Sequence, residues 1–232
     1  MESQTPMTAR NPAQPIALGQ NRVLRNTYML LALSMVPTIA GAWIGVATGF
    51  NLFRLGHPAI GFIVFIAAAM GFIWAIEKNK NSAAGIPILL GFTFFMGLVL
   101  SGMLTYILSY KNGAQLIGLA FGGTAAIFAG MAAWASTIKK DLSGMGKVLF
   151  IGVIMLIVAS FANIFLQLPG LMIAISVIAI GIFSAYLLYD LNRIMVGGET
   201  NYITATLAVY IDLFQIFQNL LMLLGIFGGD RD

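Results

Sequence analysis

The chain has 232 residues, of which 59% are hydrophobic and only 9% are charged, with a formal net charge of +4. A soluble domain has about a quarter of its residues charged, so this composition excludes a soluble globular protein and predicts an integral membrane protein. The chain contains no cysteine, which excludes disulfides and thiolate metal sites. In a membrane protein the basic excess reflects loop orientation, so we expect no nucleic-acid partner.

Apolar segments of about 20 residues, each long enough to cross the hydrocarbon core of a bilayer, recur along the chain. Residues 1–21 are polar and contain three prolines, so we expect a flexible cytoplasmic tail before a single seven-helix transmembrane domain over residues 22–232. The seven predicted spans cover residues 23–48, 58–76, 86–110, 114–138, 148–168, 171–195 and 203–227. The predicted fold class is therefore an all-α integral membrane protein.

Lysine and arginine are distributed unequally between the two sets of loops. With the N-terminus in the cytoplasm, the cytoplasmic side receives Arg10, Arg22, Arg25, Lys78, Lys80, Lys139, Lys140, Lys147 and Arg193. The other side receives Arg54, Lys111 and Arg231. Because short cytoplasmic loops carry the excess of basic residues, we predict a cytoplasmic N-terminus and an extracytoplasmic C-terminus.

The last two spans carry one carboxylate each, Asp190 before the intervening turn and Asp212 after it. A charged side chain at the centre of a membrane helix costs roughly 3 kcal/mol, so such residues normally face protein or water. If the two spans are antiparallel, the acids lie at similar distances from the turn and can meet. Two carboxylates held together away from bulk water share one proton, and they also offer oxygen ligands to a hard cation such as Ca²⁺.

Polar residues lie near both acids at helical spacing. Gln215 and Asn219 continue a polar stripe from Asp212, and Arg193 lies one helical turn beyond Asp190. Two interpretations of Asp190 stay open, since it either joins Asp212 or forms an ordinary surface pair with Arg193. Asp212 has no basic residue nearby in sequence, so it either has a gating role or forms a structural hydrogen bond to a neighbouring helix.

Other candidate sites have weaker support. The single histidine, His57, cannot form a metal site alone. The sequence has no nucleophile–base constellation, phosphate loop or zinc motif, so we expect neither an enzyme nor a cofactor. A stripe of small residues that includes Gly118, Gly122 and Gly130 follows no strand, so it indicates helix packing and not nucleotide binding.

Several motifs resemble those of the Bax inhibitor-1 family, also called transmembrane Bax inhibitor motif proteins. AVYIDLFQIFQNLLMLLGIF resembles the seventh helix of that family, and AYLLYDLNRI resembles the end of its sixth. VLRNTYMLLALS, NIFLQLPGLMIAIS and GGETNYITAT resemble the bacterial YccA-like branch. The resemblance covers the chain from about residue 23 onward. It implies a location in the bacterial inner membrane and a seventh helix surrounded by the other six.

The resemblance implies two alternative functions. Calcium-leak members imply a pH-sensitive Ca²⁺ leak in which Asp190 and Asp212 share a proton and bind Ca²⁺ transiently. The YccA-like branch implies a non-conducting partner of the membrane protease FtsH. The expected partners are therefore membrane lipids, Ca²⁺ and protons, with FtsH as the alternative. Leak members have an arginine in the second helix that engages the acid pair; here that span has none, and Lys78 at its end is the nearest substitute.

Overall fold

The structure, a computed structural model, describes residues 14–52, 58–138 and 140–229, without the side chains of residues 14–20, 58 and 59. Within this part of the chain it has seven α-helices. They are α1 (Gln14–Thr48), α2 (Pro58–Asn79), α3 (Gly85–Leu108), α4 (Gly113–Thr137), α5 (Met145–Leu166), α6 (Pro169–Met195) and α7 (Tyr202–Gly228). Each helix contains a segment long and apolar enough to cross a membrane. The predicted all-α membrane fold is confirmed.

The largest difference from the predicted spans is at the start of α1. This helix begins at Gln14, inside the predicted tail, because Pro15 suits the first turn of a helix and no proline follows until Pro37. Residues Asn21–Thr48 of α1 form its candidate membrane span. The rest of the predicted tail, residues 1–13, lies outside the described residues. His57 and the last three residues, 230–232, also lie outside them.

Helix α7 occupies the centre of the bundle. It packs against α1, α2, α3, α4 and α6, whereas α5 packs mainly against α6. The side chains of Tyr210, Ile216 and Leu221 on α7 are fully buried. The seventh helix is therefore central, as the resemblance implied, but α5 lies at the edge of the bundle with most of its large side chains exposed.

Helices α1 and α3 form the most extensive pair in the bundle, and glycines allow their close approach. A Cβ atom on Gly41 would lie 2.2 Å from the carbonyl oxygen of Phe94. A Cβ atom on Gly97 would lie 2.1 Å from the carbonyl oxygen of Thr38. Small residues at such interfaces let two membrane helices pack backbone to backbone.

The glycine stripe of α4 has a different environment from the one predicted. No heavy atom of the described residues lies within 4 Å of a Cβ atom built on Gly118, Gly122 or Gly130. These glycines are exposed, so α4 turns its small-residue stripe away from the bundle. The prediction that this stripe packs against another helix of the chain is therefore wrong for the described residues.

Hydrogen bonds group the loops at one end of the bundle. Asn192 near the end of α6 bonds to the α4–α5 loop, and Asn201 before α7 bonds to the α2–α3 loop. We call the end formed by residues 80–84, 138–144 and 196–201 the basic end. The described basic residues at or near it are Arg22, Arg25, Lys78, Lys80, Lys140, Lys147 and Arg193, whereas the described part of the opposite end carries only Lys111.

Candidate functional site

Asp212 lies deep inside α7. It follows the first residue of that helix, Tyr202, by ten residues, which corresponds to a depth of about 15 Å along the helix axis. The residue is 4% exposed. Its atom Oδ2 is buried and has no hydrogen-bond partner among the described residues. A buried polar atom without a partner is rare in a native protein and calls for a functional or chemical reason.

Asp190 on α6 meets Asp212 across the two helices. Their carboxyl groups lie within hydrogen-bonding reach of each other. The sequence predicted that the two acids lie at similar distances from the turn, and this is wrong. Asp190 precedes the end of α6 by five residues, whereas Asp212 follows the start of α7 by ten. They meet because each Cα–Cβ bond in a helix tilts toward the N-terminus of that helix. In antiparallel helices the Asp190 side chain therefore extends away from the basic end, and the Asp212 side chain extends toward it.

The contact between the two acids constrains their protonation. An ionised carboxylate only accepts hydrogen bonds, so two ionised groups at this separation repel each other and cannot bond. One proton placed between Asp190 and Asp212 supplies the missing donor. It also removes one of two negative charges from a site in which Asp212 is almost completely buried and Asp190 is partly buried. The geometry is thus compatible with a pair that holds a single proton.

Arg193 lies beside the pair at the end of α6. Its Nη2 atom is 3.7 Å from Oε2 of Glu199, and its guanidinium carbon is 6.0 Å from the centroid of the Tyr189 ring. Its positive charge acts on Asp190, but its ion pair is with Glu199. In this structure, Asp190 therefore joins Asp212 and does not form a direct surface pair with Arg193.

Lys78 does not occupy the position of a partner for the acids. Its Nζ atom lies 4.9 Å from the centroid of the Trp74 ring on the same helix, and both side chains are exposed. A lysine near the end of a membrane helix extends toward the interface because its ammonium group is strongly hydrated. In the described residues, Lys78 therefore does not take the role of the missing second-helix arginine.

The two amides predicted beside the pair lie along a cavity. Asn219 donates a hydrogen bond to the carbonyl oxygen of Gln215 at 2.8 Å and does not reach the acids. Both residues line a cavity of about 780 Å³ among α2, α3, α5, α6 and α7. The lining residues nearest to the acids along α6 and α7 are Phe183 and Phe214. The cavity therefore extends from the region of the pair toward the end opposite the basic end.

Sequence reasoning missed Asn192, two residues beyond Asp190. It is 1% exposed, and its side chain makes three hydrogen bonds to the backbone of the α4–α5 loop. It accepts one from Leu142 N at 3.1 Å and donates to the carbonyl oxygens of Ile138 at 3.3 Å and Lys140 at 3.1 Å. An amide next to a membrane acid at the end of a span was the available signal.

Asn201 has the corresponding role at the start of α7. Its side-chain oxygen accepts hydrogen bonds from the backbone N–H groups of Ile203 and Thr204 at 2.9 and 3.3 Å, which caps the helix. Its Nδ2 atom donates to the carbonyl oxygen of Lys80 at 2.9 Å. An asparagine directly before an apolar helical segment is a recognised cap signal, so this residue was predictable. Its bond to another loop was not.

Comparisons with known proteins place this architecture in a family. The family described as "Inhibitor of apoptosis-promoting Bax1" matches residues 20–229. An Escherichia coli K12 protein named "Modulator of FtsH protease YccA" is 39% identical over 213 residues, which cover 92% of this chain and 94% of that protein.

Two uncharacterised bacterial proteins are similar to nearly the whole chain. One from Neisseria meningitidis serogroup B is 37% identical over 214 residues, covering 92% of this chain and 94% of its own length. A Vibrio cholerae membrane protein is 35% identical over 226 residues, covering 97% and 99%. With seven membrane-spanning helices, the paired acids of α6 and α7, and these matches, the chain belongs to the Bax inhibitor-1 family of multi-pass membrane proteins.

Proposed function

We propose that this protein is a pH-sensitive cation leak, with Ca²⁺ as the permeant ion and Asp190 and Asp212 as its pH sensor. The observation that carries the proposal is the contact between two carboxyl groups from different helices, one of them with a buried oxygen that lacks a partner in the described residues. Ionisable residues inside membrane spans are costly and typically belong to ion or proton pathways. The orientation with the basic end in the cytoplasm is part of this proposal.

The acid pair converts pH into a force between α6 and α7. At low pH one proton joins the two carboxyl groups, and a rise in pH removes it. Two negative charges then remain where solvent is scarce, so either the helices separate or a cation enters between the carboxylates. The neighbouring charges of Arg193 and Glu199 pair with each other, and the Tyr186 side chain lies near both acids.

In this proposal the present conformation corresponds to the closed state of the leak. The cavity lies on the side of the pair that faces away from the basic end. Leu191, Ile194 and Ile203, which lie nearer the basic end than Asp212 along α6 and α7, are fully buried. Conduction therefore requires a movement of α6 or α7 at the basic end, which repulsion between two ionised acids would drive.

The experiment is Ca²⁺ flux into liposomes that contain only this protein, measured across a range of pH. We expect the wild type to conduct in a pH-dependent manner and Asp190→Asn and Asp212→Asn each to abolish that dependence. The double variant should add little, because the two residues titrate as one unit.

Asp141→Asn is the matched control. Asp141 lies at the same end of the bundle in the exposed α4–α5 loop, where a hydrogen bond from the Ser143 hydroxyl lowers the pKa of its carboxyl group. It therefore stays ionised across the tested range, and its replacement should leave the pH response unchanged. A wild type without flux, or single Asp190 and Asp212 variants with a normal pH response, would reject the leak.

A second candidate function is modulation of a membrane protease. It is favoured by the 39% identity to the Escherichia coli protein named as a modulator of FtsH protease. The test is co-purification of this protein with the FtsH of its own host, together with the turnover of an FtsH substrate. Deletion of residues 2–13 should weaken co-purification and remove the effect of this protein on substrate turnover if the N-terminal segment mediates the contact.

The two candidates separate cleanly in these experiments. Under the protease proposal, Asp190→Asn and Asp212→Asn leave co-purification and substrate turnover unchanged, whereas under the leak proposal they change flux. The protease proposal would be rejected if this protein does not co-purify with FtsH and if turnover of the FtsH substrate is the same with and without it. This holds for any result of the Ca²⁺ flux experiment.

A further inference from the structure

The large cavity lies between α2 and α5, two helices that share no extensive contact. Among the described residues α2 packs against α3 and α7, whereas α5 packs mainly against α6. The walls include Phe62 and Ile66 of α2 and Ile157 and Phe161 of α5. Ile157 and Phe161 are each 54% exposed, so the apolar surface of the bundle continues into the cavity. Because both helices are membrane spans, the gap between α2 and α5 faces hydrocarbon. Asn51, Tyr110 and Ile226 continue the lining of the cavity to the end opposite the basic end.

The inner wall of the cavity is different in chemistry from its mouth. Gln215, Gln218 and Asn219 of α7 line it, and no charged side chain does so among the described residues. The side-chain amides of Gln215 and Gln218 have no hydrogen bond within the described chain. Both side chains are partly exposed to the cavity, so their amide groups are accessible to a ligand that offers hydrogen-bonding groups.

We propose that this cavity binds an uncharged amphiphile from the bilayer, with its hydrocarbon chain between α2 and α5 and its polar head at Gln215, Gln218 and Asn219. The volume of about 780 Å³ lies within the usual range for small-molecule sites, about 300–1,000 Å³. The membrane-facing mouth selects a ligand with a long hydrocarbon chain. The uncharged amide wall selects against a head group with a net charge, which would remain unpaired in a site of low polarity.

This inference does not depend on the proposed leak. The cavity approaches the acid pair through Phe214, so a bound amphiphile and a passing cation would occupy the same space on one side of the pair. The evidence for the binding site is the gap between α2 and α5 and the amides of α7. A failure of Ca²⁺ flux would therefore leave it unchanged.

The experiment uses photolabelling of the full chain in phosphatidylethanolamine vesicles. The probe is a monoacylglycerol with a diazirine and an alkyne in its acyl chain, and labelled positions are found by peptide mass spectrometry. We expect saturable labelling of cavity-lining positions on α2, α5 and α7 that unlabelled monoacylglycerol competes away. A probe of equal chain length with a phosphatidylglycerol head should label the same positions at least severalfold less.

Two variants and one control test the location. Ser160→Trp fills the cavity from α5 and should remove most of the saturable labelling. Val158→Trp places the same bulk two residues away, at a position that is 62% exposed and does not line the cavity, and should label like the wild type. Gln218→Leu keeps the size of the side chain and should weaken probe binding about fivefold, with the labelled positions unchanged.

Three results would overturn the proposal. The first is labelling that does not saturate or that falls only on outward-facing positions, which is the result for a cavity filled with water. The second is equal labelling of Ser160→Trp and Val158→Trp. The third is labelling by the phosphatidylglycerol probe as strong as by the monoacylglycerol probe, which would exclude an uncharged head group. If Ser160→Trp does not fold, Gln218→Leu decides alone, since unchanged binding there rejects the amide contact.

Discussion

Asn192 joins the α4–α5 loop to the helix that carries Asp190. Its three hydrogen bonds hold the backbone at Ile138, Lys140 and Leu142, and the residue is almost completely buried. Each such bond contributes about 1 kcal/mol, and a buried group left without its partner costs about 1–3 kcal/mol. The loop and the acid pair are therefore mechanically connected through one side chain.

Asn192→Leu tests this connection. Leucine has the branched shape of asparagine, although it is larger, and it forms none of the three hydrogen bonds, so the α4–α5 loop should detach while the bundle stays folded. We expect faster trypsin cleavage at Lys140 and a loss of unfolding free energy of about 2–3 kcal/mol, from three bonds at about 1 kcal/mol each. The measurements are limited proteolysis and thermal unfolding in detergent.

Asn163→Leu provides the comparison for that experiment. Asn163 accepts a hydrogen bond from the backbone N–H of Leu168 at 3.0 Å, at the opposite end of the bundle. Its replacement should leave cleavage at Lys140 at the wild-type rate. Equal cleavage of the wild type and Asn192→Leu would show that the loop is held by other contacts.

At the scale of elements, the same residue type has opposite roles on α1 and α4. A Cβ atom on Gly41 would lie well inside contact distance of the α3 backbone, whereas one on Gly122 meets no described atom. Backbone cannot move aside as a flexible side chain does, so overpacking at Gly41 forces α1 and α3 apart. Glycine in an exposed helix position instead destabilises the helix through its backbone entropy.

Gly41→Ala and Gly122→Ala should therefore change stability in opposite directions. We expect Gly41→Ala to destabilise the protein by about 1–3 kcal/mol through overpacking. Gly122→Ala should be neutral or stabilise it by up to about 1 kcal/mol through helix propensity. Midpoints of thermal unfolding in the same detergent measure both. A stable Gly41→Ala variant would contradict the close α1–α3 packing, and a destabilised Gly122→Ala variant would indicate a partner on the exposed face of α4.

At the scale of the whole molecule, the loops divide into two sets. Side-chain hydrogen bonds from Asn192 and Asn201 gather the α4–α5, α6–α7 and α2–α3 connections at the basic end. The α3–α4 turn instead contacts the end of α7, where Asn112 donates to the carbonyl oxygen of Gly228 at 2.6 Å. This division is the one that alternating membrane spans require.

Single cysteines report which set faces the cytoplasm. The chain has no native cysteine, so each introduced thiol is unique. We expect Ser82→Cys and Ser143→Cys to react with a membrane-impermeant maleimide only from the cytoplasmic side, and Ser109→Cys only from the other side. The prediction is based on the excess of lysine and arginine in the cytoplasmic loops of membrane proteins. Labelling of all three from one side would contradict the seven-span topology.

The sequence was sufficient to predict the features that depend on one segment at a time or on a sum over segments. Span number follows from the length and hydropathy of each segment, and the basic end follows from a count of lysine and arginine. The candidate acids were also recognisable, because a carboxylate within an apolar span is conspicuous by itself. The contact between Asp190 and Asp212 was foreseen, although for an incomplete reason, since the tilt of the side chains joins acids at different depths.

Only the tertiary structure decided which face of each helix is inside. Lys78 lies over Trp74, the glycine stripe of α4 faces outward, α5 lies at the edge, and a cavity opens between α2 and α5. In a soluble protein an apolar stripe marks the buried face of a helix. In a membrane, lipid chains are as apolar as leucine, so these helices are apolar on every side, and the buried face depends on close packing and hydrogen bonds between particular helices.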